Sequence, residues 1–259
     1  MSRNRLDALA VAAGGASAIA LLGALEWMIA AEWISAYVVP APSAVVQSFG
    51  RVIAEEHLPQ RFLLTAGEAL GAGSLLIAAG VSLGVFLHRF ELWRRATETW
   101  VAAFASAPLV LAYPLFLVIF GRSAATIIMI GFFAGLAPVV LKTIEGLSAV
   151  RPVLIHVSRM FRLTPAQQFW KVLFPAALPT IFVGLRLGLI FALINIVGVE
   201  FLINFGGLGQ LINELAERYD LPGTYAAICF VILVSVIFFA VLERAEQRMR
   251  PMQSKKATP

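Results

Sequence analysis

The chain has 259 residues, of which 60% are apolar and only 14% are Asp, Glu, Lys or Arg. A soluble domain carries roughly 25% charged residues, and a chain of this size has too little interior to hide so much apolar surface, so a soluble fold is excluded. The formal net charge of +5 would point to nucleic acid in a soluble chain, but here the basic residues fill short gaps between apolar runs and read as membrane-orientation signals.

A spanning helix needs about 20 apolar residues, and six stretches qualify: Ala8–Ala31, Phe62–Leu87, Trp100–Phe120, Ala124–Leu141, Thr180–Ile203 and Thr224–Leu242. The chain is therefore expected to be an all-α integral membrane protein with about six transmembrane helices. The first run is longer than the apolar core of a signal peptide, about 7–15 residues, and reads as a retained helix. After it, Pro40-Ala41-Pro42-Ser43 starts a helix, with Ser43 as cap and Val45, Val46 and Phe49 on its apolar side. Gly67, Gly71, Gly73, Gly80 and Gly84 in the second span, and Gly131 and Gly135 in the fourth, stand at spacings that permit close helix packing. Pro108 and Pro114 kink or break the third span, Pro138 the fourth. Only Gly121-Arg122-Ser123 separates the third and fourth spans, which predicts a tight helical hairpin. Cys229, the one cysteine, makes no internal disulfide and reads as a buried apolar thiol.

Orientation follows from Lys and Arg. With the N-terminus inside, the inner segments hold Arg3, Arg5, Arg89, Arg94, Arg95, Lys142, Arg151, Arg159, Arg162, Lys171, Arg244, Arg248, Arg250, Lys255 and Lys256, which is 15 of the 20 basic residues. The outer segments hold Arg51, Arg61, Arg122 and Arg218. Both termini are thus expected in the cytoplasm.

The inner segment Arg151–Pro179 is the most polar long stretch. Val153, Leu154, Val157, Met160 and Phe161 recur at helical spacing, with His156, Ser158, Arg159 and Arg162 between them. Thr164, Pro165 and Gln167 then form a second helix start of the capping-box kind, followed by the stripe Phe169, Trp170, Leu173 and Phe174. Pro175 and Pro179 punctuate the return to the membrane. Periodicity alone leaves two readings: helices lying on the headgroups, or a docking element for a cytoplasmic partner.

Ionisable residues inside spans are costly and often functional. Glu68, Arg186 and Glu200 are such residues, with Asn195 and Asn204 near Glu200. Arg186 reads first as a snorkelling or internally paired side chain and Glu200 as a lining or gating group, while Glu68 favours neither role. These five are the pathway or gate candidates. Trp100, Phe104, Phe132 and Phe133 read as packing or lipid-facing before pathway lining.

Val172-Leu173-Phe174-Pro175-Ala176-Ala177-Leu178-Pro179 resembles the second half of the signature loop of the permease subunits of binding-protein-dependent ABC importers, E-A-A-x3-G-x9-I-x-L-P. The Glu-Ala-Ala of that pattern falls on His156-Val157-Ser158 and its Gly on Arg162, so the first half is not kept. Gly184-Leu185-Arg186-Leu187-Gly188, Glu200-Phe201-Leu202 with Gly206-Gly207-Leu208-Gly209, and Pro40-x-Pro42-Ser43 are also similar to the family, in its nitrate, sulfonate and taurine subgroup, which includes permeases for thiamine-precursor pyrimidines. The resemblance implies an ABC importer type I transmembrane fold in a bacterial inner membrane: residues 1–58 an N-terminal helix and outer loop, 59–243 the core and 244–259 a basic cytoplasmic tail. It implies a pair of permease subunits forming the pathway, cytoplasmic ATPase subunits and an outer solute-binding protein, with a small anion or a pyrimidine-like vitamin precursor as solute. His156, Val157, Ser158, Arg159, Arg162, Thr164, Pro165, Phe169, Trp170, Phe174 and Pro175 would carry the ATPase coupling. No GxxxxGK[ST] occurs, so ATP is expected on a separate chain, with no cofactor and no catalytic residue on this one. A self-sufficient secondary carrier and a non-transporting scaffold are the competing readings. A Gly between two short helices supplies a positive φ. Arg162 does so at a cost, so either the turn differs or the docking surface is unusual.

Overall fold

The computed structural model describes residues 3–249, with side chains from 12 to 248. The side chains of Arg3 and Arg5, and all of Arg250, Lys255 and Lys256, lie outside that description. The described chain is helical throughout, with no strand: α1 Arg3–Ala30, α2 Pro42–Glu55, α3 Leu58–Arg89, α4 Glu91–Phe104, α5 Tyr113–Phe120, α6 Ala124–Ser148, α7 Pro152–Met160, α8 Pro165–Ile203, α9 Gly207–Glu217 and α10 Leu221–Met249. Five of these are long and apolar enough to cross a membrane. A sixth crossing arises if α4 and the stretch Leu109–Phe120, bent by 91° from one another, count as one broken span.

Five of the six expected spans are matched by single long helices and the third by the bent pair, with changed boundaries. The third does not begin at Trp100. Its helix starts at Glu91, where charged residues on an amphipathic surface hide it from a hydropathy reading, and it breaks between Ala105 and Pro108. Pro114 opens α5 instead of kinking it, because the first turn has no use for the missing amide. The fifth span starts fifteen residues before Thr180, as one helical run with the second half of the polar loop. Pro175 follows a π-helical turn at Phe169–Leu173, in which Phe174 N–H donates five residues back to Phe169, and this wider turn absorbs the missing donor. The last helix runs to Met249, past the expected end at Leu242.

The chain divides into two compact units. One comprises residues up to 60 together with 211–232. Its core gathers Val45 and Val52 of α2 with Leu58, Leu211, Leu215, Ala226 and Ala227. Arg51 pairs with Asp220 at 2.5 Å and Arg218 with Glu56 at 2.8 Å. Helix α2 forms as expected, but its N-cap is Ala41. Ser43 sits in the first turn, where its hydroxyl and amide both donate to Glu26, and Val46 faces outward. Cys229 is exposed, contrary to the buried reading: an apolar surround in a span can be lipid as well as protein.

The second unit, residues 61–210 and 233 onward, holds the polar loop and every candidate pathway residue. Its core is the pair α6 and α8, joined by α3: Ile127, Ile130 and Val139 pack with Ala192, Ile196, Val199, Ala72 and Leu76. Lipid tails are as apolar as leucine, so helices associate by close contact rather than by the hydrophobic effect. Gly135 and Gly188 provide that contact, backbone against backbone. Gly84 makes room for the Thr143 side chain, whereas a methyl added at Gly67 would meet nothing outside its own helix. The hairpin at Gly121 forms as the spacing predicts, with Gly121 at φ +68° and Thr126 Oγ1 donating to its carbonyl at 2.6 Å.

Candidate functional site

Two groups of candidate residues occupy the two ends of α8. The first is the loop Arg151–Pro175. Pro152 opens α7, where its fixed φ suits the first turn. The helix ends in a Schellman motif: Arg162 N–H donates to the Arg159 carbonyl and Leu163 N–H to Ser158, with Arg162 at φ +51°. The left-handed turn is therefore kept although no glycine occupies it. Thr164 and Gln167 close a reciprocal capping box on the start of α8. Ser158 is buried, donates to Ile155 and receives Gln168 Nε2 at 2.9 Å, which bolts α7 to α8.

This frame sorts the expected coupling residues. Ser158 is inside it. Phe169 and Phe174 are half-buried and, with Trp170, form an aromatic triangle with ring centroids 5.1–5.8 Å apart. His156, Val157, Arg159, Arg162, Thr164, Pro165, Trp170 and Pro175 are exposed. Beside them Met160 is 82% and Phe161 76% exposed, and Val153 and Leu154 are open as well. The loop is a rigid two-helix element with an uncovered apolar face.

The second group surrounds Glu200, which is fully buried. Thr65 Oγ1 donates to its Oε1 at 2.7 Å and Gly209 N–H to its Oε2 at 2.8 Å, while Leu208 N–H donates to Thr65 at 2.9 Å. Glu68 lies beside the same carboxyl. A side chain at Gly207 would overlap the Glu200 carboxyl, and one at Gly209 would overlap the Val197 carbonyl. Gly206 and Gly207 both take positive φ. The glycines thus let a loop close onto the acid. Glu200 does not line open space. It clamps the turn after α8 to α3.

Asn204 ends α8 in the left-handed conformation, its amide bound to the Glu200 carbonyl and its own carbonyl accepting from Arg122. Arg186 pairs internally, 3.1 Å from buried Glu246 on α10. Asn195 stands apart from Glu200, since five residues are about 140° around a helix. It shares a cavity of about 430 Å³ with Phe191, Gly198, Phe104 and the break Ser106–Pro108. Phe132 and Phe133 pack in and against the core, and Trp100 is exposed.

The residues missed by sequence reasoning are Thr65, Gln168, Ser106 and Glu246. Thr65 and Glu246 lie far along the chain from their partners Glu200 and Arg186, and no local pattern signals either. Gln168 is one residue past the capping box, and no local pattern sets it apart from the polar residues around it.

Among the described residues, five membrane-length helices, a broken span and a two-helix polar loop mark an integral membrane protein. The chain belongs to the family described as binding-protein-dependent transport system inner membrane component, whose model matches residues 76–251. It is the permease subunit of an ABC importer and a multi-pass inner-membrane protein. It is 25% identical over 242 residues to the formylaminopyrimidine transport permease protein ThiX of Halalkalibacterium halodurans, covering 89% of this chain and 92% of that one. It is 29% identical over 219 residues to the putative aliphatic sulfonates transport permease protein SsuC of Bacillus subtilis, covering 82% and 78%. Its fold is also that of a chain of the MetNI methionine ABC transporter in an inward-facing form, with a TM-score of 0.65 at 20% identity over 74% of this chain and 95% of that one.

Proposed function

We propose that two permease subunits, most simply two copies of this chain, enclose the solute pathway and that cytoplasmic ATPase subunits dock on the 151–175 loops. Both termini and this loop then lie on the cytoplasmic side, and a solute-binding protein delivers from the other. The supporting observation is mechanical. The bolted loop presents Met160 and Phe161 to solvent and continues without interruption into α8. The thirty steps from Pro165 to Asn195 span about 45 Å at 1.5 Å per residue, so a push on the loop moves the groups around Asn195 and Glu200. Nucleotide then biases two global states of the pathway. The relatives' names support a solute that is either a small anion of the sulfonate, nitrate or taurine kind or a pyrimidine-like vitamin precursor.

Docking is tested by co-purification. Met160→Asp combined with Phe161→Asp should lower recovery of the ATPase subunit at least tenfold while leaving the permease itself monodisperse, because both side chains point to solvent. Equal recovery would exclude this face as the seat.

Arg162 gives a second test. A non-glycine residue in the left-handed region costs about 1–2 kcal/mol, so Arg162→Gly should stabilise the turn by roughly 1 kcal/mol. If the guanidinium meets an acidic rim on the ATPase, the same change should weaken assembly and coupled hydrolysis. Unchanged assembly and hydrolysis would leave Arg162 with no role in docking.

A further inference from the structure

The break in the third span creates a backbone problem. Inside the hydrocarbon region every backbone amide and carbonyl must be paired, and irregular chain survives only where protein buries it or a cavity receives it. Ser106 and Ala107 turn their amides back on the carbonyls of Ala103 and Phe104, and Pro108 accepts from Leu111. Among the described residues the carbonyls of Ala105, Ser106 and Ala107 receive no backbone donor, and the amides of Leu109 and Val110 find no backbone acceptor. These residues line the cavity of about 430 Å³ described above, a volume in the range of small-molecule sites, about 300–1,000 Å³.

Helix α8 forms the opposite wall. Phe191, Ile194, Asn195 and Gly198 recur at i, i+3, i+4 and i+7 and so share one face. Asn195 gives one amide hydrogen to the Phe191 carbonyl at 2.9 Å, which fixes its orientation and leaves its Oδ1 and second hydrogen for a ligand. Phe104 and Phe191 add aromatic surface. No lining residue is charged.

We propose that this cavity is the solute-contact site of the pathway and that it takes an uncharged, planar amino-heterocycle, held against Phe104 and Phe191 and read by Asn195 and the open backbone of the break. The inference rests on the importer reading above and narrows its solute. A sulfonate or nitrate could accept from the Leu109 and Val110 amides but offers nothing to the three open carbonyls beside them, and it brings a full charge that no side chain of this lining balances, which is costly away from water. An amino-heterocycle edge both donates and accepts, as this wall does. Its ring has a face for the phenyl groups.

The test reads the cavity directly. In the complete transporter carrying Cys229→Ser, Ser106→Cys is labelled with N-ethylmaleimide, and Phe191→Cys serves as the second reporter should the first fail to assemble. Formylaminopyrimidine should slow labelling at least fivefold and hexanesulfonate should not. In proteoliposomes, Asn195→Leu should lower ATP-driven formylaminopyrimidine uptake at least tenfold at equal recovery of the complex, with part of the uptake restored by Asn195→Gln. Protection by hexanesulfonate alone, by neither compound, or uptake by Asn195→Leu within twofold of the unaltered protein would overturn the proposal. Uptake by this chain alone, driven by an ion gradient without ATP, would instead overturn the importer reading, so the two failures are distinguishable.

Discussion

Gly135→Val is expected to abolish recovery of a monodisperse permease, measured by size-exclusion chromatography in mild detergent. Helices α6 and α8 meet at Gly135 and Gly188 with their backbones in contact. A Cβ at Gly135 would overlap the Gly188 carbonyl and stand 2.7 Å from Leu76 Cδ1, and one at Gly188 would stand 2.8 Å from the Gly135 carbonyl. Overpacking costs about 1–3 kcal/mol even where side chains can shift, and here the main obstacle is main chain. Separating the helices would also open the contacts of Ile130, Val139, Ala192 and Ile196, which form the centre of the unit. In lipid no hydrophobic driving force between the helices makes up for the loss of such contact. Gly135→Ala should be intermediate. Gly67→Ala is the control: nothing outside its own helix lies within 4 Å of the added methyl, so stability should hold or rise slightly through the helix propensity of alanine. Equal thermal stability of Gly135→Val and the unaltered chain would show that the two helices are not held by this contact.

What could be read in advance follows the range of each interaction. Spans are legible because a run of apolar residues is a local property, and so are the capping box at Thr164, the hairpin at Gly121 and the packing role of Gly135. The start of the third span at Glu91 was not, because its charged face, Glu91, Arg94, Arg95 and Glu98, lowers hydropathy while the helix itself persists through i,i+3 and i,i+4 ion pairs. The continuity of α8 through Pro175 depends on a π turn, which leaves no compositional mark. The left-handed turn at Arg162 is invisible to propensity, which disfavours it there. It was legible only through a family pattern with glycine at that position. The partners of Glu200 could not be found because Thr65 is 135 residues away in sequence. The acid itself was singled out by the cost of a carboxylate in a span, a local signal. Its structural meaning is not local.

Glu200→Ala is therefore the second change expected to have a large effect. Removing the carboxyl leaves the Gly209 amide without its acceptor and takes from Thr65 the shorter of its two acceptors. Each buried donor left unpaired costs about 1–3 kcal/mol, and the vacated space adds a cavity term. A total of about 3–5 kcal/mol corresponds to a fall in Tm of roughly 10 °C for a chain of this size. Glu200→Gln separates this clamp from a role for the charge. Its Oε1 can accept from Gly209, its amide can donate toward Glu68, and the Thr65 hydroxyl can turn to the Arg61 carbonyl it already approaches at 3.3 Å. The glutamine variant should hence stay within about 1 kcal/mol of the unaltered protein, in the range of a single exchanged hydrogen bond. If the clamp only positions the turn at Gly206–Gly209, transport by the glutamine variant survives with its stability. Preserved folding with transport lost would instead place the negative charge itself in the gating step.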